Sequence, residues 1–372
     1  MHPTLDIPTL ASCTSCRVVE DKSNYWTAVV YFRHRNGSFL RVPQMANHHT
    51  GPGLMNGGMT VYYFQPRAPT KNLTVVPFKK GFRMTVGHPS RRSLNGVDPG
   101  LTEAKATSFR CFSDPLVIGE DPPASGPQDS VGFPREMCSA GVRSNIYFSQ
   151  CWDGVNLDSE DHMSHVAHPS GEPSASGLQF FGTDCPPSHP VRLPLLFLEI
   201  VWDTRPFNDL GMWPDDGSQP FVFSMGDPTG FGQHADYVFG WEGDALQRAM
   251  DVCTLGDGII TNCPVLTVQT MDEMNTCRLP ALVPELVEEQ YIPALPGCNP
   301  VQPGPLSATL SFPCDSAPST TMPPPATSST PPAIVTPPWT VCHEGPGSEP
   351  NVPGCDSIPT ATTTATGPGV DI

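Results

Sequence analysis

Two polar runs contain most of the side chains in this sequence that could do chemistry. The first, CWDGVNLDSEDHMSHVAHP, spans Cys151 to Pro169, and the second, SMGDPTGFGQHADYVFGW, spans Ser224 to Trp241. The first run has few apolar residues to bury, so it forms either a site or a hydrogen-bonded network that other elements hold in place. If the two runs meet in space, their Asp, His and Trp side chains could bind a metal, a sugar or both.

Three histidines of the first run, His162, His165 and His168, lie three residues apart and follow Asp161. Neutral imidazoles and a carboxylate are ligands that zinc and copper accept. One hypothesis is therefore a divalent metal bound by His162, His165 and His234. The spacing matches no defined metal motif, and a capped, hydrogen-bonded loop is the alternative.

The candidates for acid–base or nucleophilic chemistry are Asp153, Asp161, Asp227, His234 and Asp236. A pair of carboxylates can act as acid and nucleophile on a glycoside, and an Asp–His pair can act as a general base with its orienting group. The alternative is structural, because SMGDPTG is typical of a turn in which Asp and Pro serve the backbone geometry. Four tryptophans in or near the runs could stack on a sugar ring or be buried: Trp152, Trp202, Trp213 and Trp241.

Short strands are predicted to position these runs. The segment Tyr25–Val42 predicts a hairpin, because its Asn36-Gly37 dipeptide tolerates the positive φ angles of a type I′ turn. Further strand-like runs span Met59–Gln65, Gly81–Gly87, Thr107–Ser113, Arg143–Trp152, Arg192–Trp202 and Gln219–Gly226. They predict a mostly β fold, an antiparallel sandwich or jelly roll, with one or two short helices. The helix candidates are Gly243–Cys253 and, more weakly, Pro280–Gln290.

Composition limits the class of protein. The 372 residues include 46 prolines, which argue against long helices, and the net charge of −17 argues against a nucleic-acid partner. The sequence contains no run of about 18 apolar residues, so no membrane span is predicted. From about residue 300 onward Pro, Ser and Thr dominate, so we expect a β-rich core over residues 1–300 and a disordered, O-glycosylated tail over residues 301–372.

Thirteen cysteines indicate an oxidising compartment and a disulfide-bonded protein. The candidates for disulfide formation are Cys13 and Cys16 as structural half-cystines, Cys253 with Cys263, and Cys277 with Cys298. Asn36 and Asn72 begin N-glycosylation sequons. The first residues, MHPTLDIPTL, lack the basic and apolar regions of a signal peptide, so we expect a missing N-terminal piece and an extracellular or cell-wall location.

Several long motifs resemble one family. ASCTSCRVVEDKSNYWTAVVYFRHRNGSF, NGGMTVYY and the two polar runs are similar to secreted fungal proteins that carry domain of unknown function nineteen-ninety-six. The resemblance covers roughly Met1 to Cys277 and implies a fungal, extracellular or wall-associated glycoprotein, without an established reaction. It also implies an upstream segment with a His-x-His pair, which could complete a site with His162, His165 or His234.

Two functions remain open from the sequence. The first is a carbohydrate-active enzyme that hydrolyses a cell-wall or extracellular polysaccharide, with Asp153, Asp161 and Asp227 as candidate acid–base carboxylates. The second is a non-catalytic wall or adhesion glycoprotein in which the same groups form a structural network or bind a glycan. A metal-binding variant of either function is a third hypothesis.

Overall fold

Antiparallel β-structure dominates the protein. The structure, a computed structural model, describes residues 6–45, 58–65, 74–94, 102–113, 123, 126–170, 184–255, 259–279, 290–297 and 299–311. These residues belong to one compact unit. The mostly β, sandwich-like fold predicted from the spacing of short apolar runs is confirmed.

Fifteen strands and four short helices occur in the described part of the chain. The strands are β1 (Asn24–Thr27), β2 (Val30–Arg33), β3 (Phe39–Arg41), β4 (Gln44–Met45), β5 (Met59–Phe64), β6 (Arg83–Gly87), β7 (Thr107–Phe112), β8 (Asp129–Ser130), β9 (Gly141–Tyr147), β10 (Cys151–Trp152), β11 (Val166–Ala167), β12 (Val191–Arg192), β13 (Leu195–Trp202), β14 (Phe221–Phe223) and β15 (His234–Val238). The helices are α1 (Ile7–Leu10), α2 (Thr102–Lys105), α3 (Ala245–Val252) and α4 (Met271–Thr276).

The predicted helix at Gly243–Cys253 is confirmed as α3, which buries Ala245, Leu246 and Met250 on one face. The weaker candidate at Pro280–Gln290 falls almost wholly outside the described residues. The helices in the described part of the chain are all too short and too polar to cross a membrane.

A six-stranded sheet, hereafter the large sheet, forms the centre of the fold. Its order is β4-β13-β9-β7-β8, and β5 also pairs with β13. Strand β13 is buried on both faces apart from Val201. Its near-continuous apolar sequence reflects that position, because a strand covered on both sides has no reason to alternate apolar and polar residues.

Three smaller antiparallel sheets complete the structure, with strand orders β1-β15-β6, β14-β2-β3 and β11-β10-β12. The first of these, hereafter the small sheet, positions most of the second polar run. Strand β15 is its central strand and pairs with β1 on one side and β6 on the other. The sequence interpretation treated this stretch as a glycine-rich loop and missed the strand within it.

A cluster of tyrosines joins the small sheet to the large one. The hydroxyl of Tyr63 on β5 lies 2.8 Å from that of Tyr25 on β1, and 3.1 Å from that of Tyr237 on β15. It also accepts a hydrogen bond from Nε1 of Trp241 at 3.0 Å, while the Tyr25 hydroxyl donates to the carboxylate of Asp21. These five residues are called the tyrosine cluster below.

The predicted hairpin exists between β2 and β3, but its turn is not type I′. The N–H of Gly37 donates to the carbonyl of His34, and the N–H of His34 donates to the carbonyl of Ser38. Gly37 has a φ of 86°, whereas Asn36 is not among the residues with positive φ. A longer loop with a single left-handed glycine replaces the two-residue turn, which needs two positive φ angles.

Four disulfides stabilise the described core: Cys13–Cys277, Cys111–Cys138, Cys151–Cys185 and Cys253–Cys263. The predicted pair Cys253–Cys263 is confirmed. The predicted pair Cys277–Cys298 is wrong, because the fold brings Cys277 to Cys13. Cys16 forms no disulfide in the described structure and keeps a free thiol, so its interpretation as a half-cystine is corrected.

Residues just beyond position 300 lie against the core. The N–H of Gln302 donates to the carbonyl of Gly226, and the Gln302 carbonyl accepts from Nε of Arg92. Residues 312–372, which include most of the predicted tail, lie outside the described residues. The division between a core over residues 1–300 and a tail over residues 301–372 stays a prediction.

Candidate functional site

The two polar runs lie on opposite sides of strand β6. The N–H groups of Arg83 and Thr85 donate to the carbonyls of Leu157 and His162, at 3.0 and 2.8 Å. The other edge of β6 pairs with β15, where Thr85 is opposite Asp236. The backbones of His162 and Asp236 are therefore two interstrand spacings apart, about 10 Å. The two runs are neighbours, with one strand between them.

Asp153 and Asp161 cap turns within the first run. Oδ1 of Asp153 accepts from the N–H groups of Val155 and Asn156 at 2.8 and 2.9 Å. Burial would raise the pKa of Asp153, but these bonds outweigh it and the pKa is lowered. The N–H groups of Ser164 and Met163 hold the pKa of Asp161 far below its usual value. Both groups stay ionised and engaged with the backbone, whereas a general acid needs a raised pKa.

The histidines of the first run point into different surroundings. His162 has a φ of 56°, and its Nδ1 lies 2.6 Å from Oδ1 of Asp158. His165 is buried, with Nδ1 2.8 Å from Oγ of Ser159 and its ring 5.3 Å from that of Phe82. Burial lowers the pKa of His168 to about 4.

The predicted metal ligands His162, His165 and His234 are not gathered into one group. Over the described ranges, no three His, Cys, Asp or Glu side chains come together in a way that could hold a metal ion. Each of the three histidines instead has its own local partner. The first run is a hydrogen-bonded loop, which is the alternative that its composition left open.

Asp227 is fully buried and holds the glycine-rich loop of the second run. Its Oδ1 accepts from the N–H and the hydroxyl of Thr229 at 2.8 and 2.6 Å, and its Oδ2 accepts from the N–H of Gly232 at 2.7 Å. Nε of Arg92 lies 3.5 Å from the same carboxylate. A Cβ on Gly232 would come within 2.8 Å of the Asp227 carboxylate, so the loop requires glycine there. These contacts make Asp227 the centre of a turn, away from solvent.

Strand β15 presents two other predicted site residues, His234 and Asp236, on its outer face. Successive residues of a strand point to opposite faces, and here Ala235 and Tyr237 enter the core while His234 and Asp236 stay half-buried. Trp26 on β1 is directly opposite Asp236 in the register, so the two side chains lie next to each other.

Trp26 is the most open aromatic side chain of this surface. It is 48% exposed, and its ring centroid lies 5.3 Å from that of His234. Gly87, which is opposite His234 on β6, adds no side chain there, and a Cβ on it would lie 2.1 Å from the carbonyl oxygen of Gln233. Trp26, His234 and Asp236 are called the tryptophan face below.

The tautomer of His234 follows from its contacts. Nδ1 lies 2.8 Å from the carbonyl oxygen of Gly232, which can only accept, so Nδ1 carries the proton. Burial lowers the pKa of His234 by more than the Gly232 carbonyl raises it. The imidazole is therefore neutral near pH 7, and its Nε2 can accept a hydrogen bond from a ligand hydroxyl.

Three of the four tryptophans named from the sequence lie in the core, and the fourth, Trp213, is half-buried with its indole N–H donated to the carbonyl of Phe207. Trp152, Trp202 and Trp241 are buried. Each donates its indole N–H within the protein, to the carbonyl of Asn156, the hydroxyl of Ser144 and the hydroxyl of Tyr63, respectively. Trp26 was missed. Alternation along β1 places Tyr25 and Trp26 on opposite faces, but the sequence does not show which of the two faces the core.

Comparison with known proteins places this chain in one family. The family model described as Domain of unknown function (DUF1996) matches residues 2–241, which is well over half of the chain. The chain belongs to the DUF1996 family. The matched stretch of the DUF1996 domain includes all fifteen strands and both polar runs. No curated protein and no solved structure matches the chain.

Proposed function

We propose that this DUF1996 domain is an extracellular glycan-binding module that holds a sugar ring of a cell-wall or secreted polysaccharide on the tryptophan face. The observation that carries the proposal is the half-exposed indole of Trp26 beside His234 and Asp236. The C–H groups of a pyranose ring cover an indole face well. The sugar hydroxyls then donate to Nε2 of His234 and to the Asp236 carboxylate.

Hydrogen-bonded strands carry the residues of the tryptophan face, which favours binding. Trp26 and Asp236 stand on paired strands, and the ring of Tyr25 on the opposite face stacks against that of Tyr237 at 5.6 Å. Side chains fixed before the ligand arrives lose little conformational entropy on binding. Asn36, the first residue of a predicted sequon, lies exposed at the tip of the β2–β3 hairpin, where a glycan could be attached.

The geometry favours binding over hydrolysis at the predicted carboxylates. Asp153, Asp161 and Asp227 accept hydrogen bonds from the backbone of their own loops. Hydrolysis by these groups remains the second hypothesis from the sequence. The four disulfides of the core are compatible with an oxidising, extracellular location.

The test is a binding titration with neutral cell-wall oligosaccharides and the variant Trp26→Ala. We expect Trp26→Ala to bind the glycan at least tenfold more weakly than the wild-type protein does, a loss of about 1.4 kcal/mol, because the stacking surface is removed. Leu210→Ala is the matched control, since Leu210 is 62% exposed and lies outside the tryptophan face. Equal affinity in wild-type protein and Trp26→Ala would contradict the proposal.

A parallel assay for released sugars separates the two hypotheses. Products that appear with wild-type protein and disappear in Asp161→Asn would support a hydrolase. Binding without products supports the module proposed here.

A further inference from the structure

The outer face of the small sheet extends beyond the tryptophan face to an arginine on β6. Strand β6 turns Met84 into the core, so its neighbour Arg83 points to the outer side. The register places Arg83 opposite Val238 on β15, which is the next outer-facing residue of that strand after Asp236. One continuous surface therefore runs from Trp26 on β1, through Asp236 on β15, to Arg83 on β6.

The guanidinium group of Arg83 has donors that the described part of the protein does not use. Its Nε is buried without a hydrogen-bond partner, whereas the side chain as a whole is only half-buried. The two Nη groups at the end of the side chain are thus the part that reaches the surface. Arg143 and Arg205, by contrast, each form an ion pair with a carboxylate, and Arg83 forms none with any described residue.

Trp26 and Arg83 are too far apart to hold the same sugar ring. They stand on the two outer strands of the small sheet, and the register offsets them by two residues. Two interstrand spacings and that offset place their Cα atoms about 12 Å apart. The ring of Trp26 also lies beside that of His234, at the opposite end of the face from Arg83. A sugar ring stacked on Trp26 therefore leaves Arg83 for the next unit of the chain.

The carboxylates near Arg83 determine what charge a ligand can carry. Asp236 lies between Arg83 and Trp26 in the register. On the other side of β6, the N–H of Arg83 donates to the carbonyl of Leu157, which directly precedes Asp158. An acidic sugar would meet both carboxylates, and their repulsion would offset its attraction to Arg83. Neutral hydroxyls can instead accept from the Nη groups and donate to Asp236.

We infer that Arg83 forms a second sugar subsite beside the tryptophan face, so that the ligand is a neutral oligosaccharide of at least two units. The inference rests on the proposed function, because the first ring is the one stacked on Trp26. The Nη groups of Arg83 donate to hydroxyl oxygens of the next ring, and Asp236 accepts from hydroxyls between the two positions. Arg83 thereby selects chains over single sugars, and neutral sugars over acidic ones.

The test is an NMR titration of the whole protein with glucose, mannose and xylose, each as the monosaccharide and as its β-linked disaccharide. We expect the wild-type protein to bind the disaccharide of its preferred sugar at least tenfold more tightly than the monosaccharide. Arg83→Met keeps an apolar stem but removes the donors, so it is expected to lose most of this gain. Arg83→Lys keeps the charge without the planar fork and should lose part of it.

Arg35→Gln is the matched control. Arg35 is half-exposed in the loop between β2 and β3, on a different sheet, so its substitution should leave the gain from the second sugar unit unchanged. Near-UV circular dichroism verifies the folding of each variant.

The outcomes separate this inference from the proposed function. Equal affinity of the wild-type protein for monosaccharide and disaccharide, or the full gain in folded Arg83→Met, would overturn the second subsite and leave the first standing. Tighter binding of a uronic-acid disaccharide than of the neutral disaccharides would overturn the neutral ligand class. Undiminished binding in Trp26→Ala, or no binding by the wild-type protein, would contradict the proposed function and the second subsite with it.

Discussion

The backbone groups nearest to a polar side chain determine its role in this protein. Asp161 and Asp227 were equally good candidates for catalysis in the sequence, yet each accepts several hydrogen bonds from its own loop. A short carboxylate beside a turn reaches the backbone N–H groups two or three residues further on, and these are always available. His234 differs because it stands on a strand: its Nδ1 bonds to the carbonyl of Gly232, and its ring lies beside that of Trp26 on β1.

Burial of histidine predicts a pH dependence of stability. Burial lowers the pKa of His168 from 6.5 to about 4. Between these values the unfolded chain binds a proton on His168 that the folded protein does not. The contribution of neutral His168 to the free energy of unfolding is therefore complete above pH 6.5 and is lost as the pH falls through about 4. Because the residue is half-buried, we expect a loss of about 2 kcal/mol between pH 7 and pH 4.

The measurement is urea denaturation of wild-type protein and of His168→Leu at both pH values. The variant should lose about 2 kcal/mol less than the wild-type protein on acidification. His165 and His234, whose pKa values are also lowered by burial, keep part of the dependence in the variant. Identical losses in the two proteins would contradict the assignment to His168.

At the scale of elements, the two-residue period of β15 divides its side chains between two roles. Tyr237 turns inward to the tyrosine cluster, while Asp236 turns outward to the tryptophan face. The strand that presents the candidate site is thus anchored by its own buried residues. Loss of the tyrosine cluster is expected to loosen both the contact between the sheets and the surface above it.

Tyr63→Phe tests the tyrosine cluster. The substitution removes the hydroxyl that joins Tyr25, Tyr237 and Trp241, and leaves buried polar groups without partners. We expect the free energy of unfolding to fall by about 1–3 kcal/mol, measured by urea denaturation. Tyr291→Phe is the control, because Tyr291 is 44% exposed and outside the cluster. A change in Tyr63→Phe no larger than in the control would show that the cluster contributes nothing.

At the scale of the whole molecule, the disulfides differ in the length of chain that they close. Cys13 and Cys277 are separated by 264 residues, whereas Cys253 and Cys263 are separated by 10. A crosslink across a long segment restricts the unfolded chain more than one across a short segment. The Cys13–Cys277 bond is therefore expected to contribute more to the free energy of unfolding than the Cys253–Cys263 bond.

Paired cysteine-to-serine substitutions measure that difference. We expect Cys13→Ser with Cys277→Ser to lower the free energy of unfolding by roughly 3–5 kcal/mol. Cys253→Ser with Cys263→Ser should cost about 2–3 kcal/mol less than that, from loop entropy alone. Thermal and urea denaturation provide the comparison. Equal losses in both variants would mean that loop length does not determine the contribution.

Local patterns in the sequence were sufficient for the fold class and for most strands. Short apolar runs between turn residues predicted β5, β7 and β13, and helical spacing predicted α3, because each signal depends only on neighbouring residues. The composition of the first polar run also allowed the hydrogen-bonded loop that the structure contains. The disulfide Cys253–Cys263 could be predicted for the same reason, since the two cysteines are close in the chain.

Only the tertiary structure decided which residues meet across long separations. The partner of Cys277, the exposed face of Trp26 and the surface that it shares with Arg83 all depend on the register between distant strands. A strand sequence shows that its side chains alternate, but the packing of other strands determines which face is covered. The same aromatic residue is therefore a core residue in one register and a ligand platform in another.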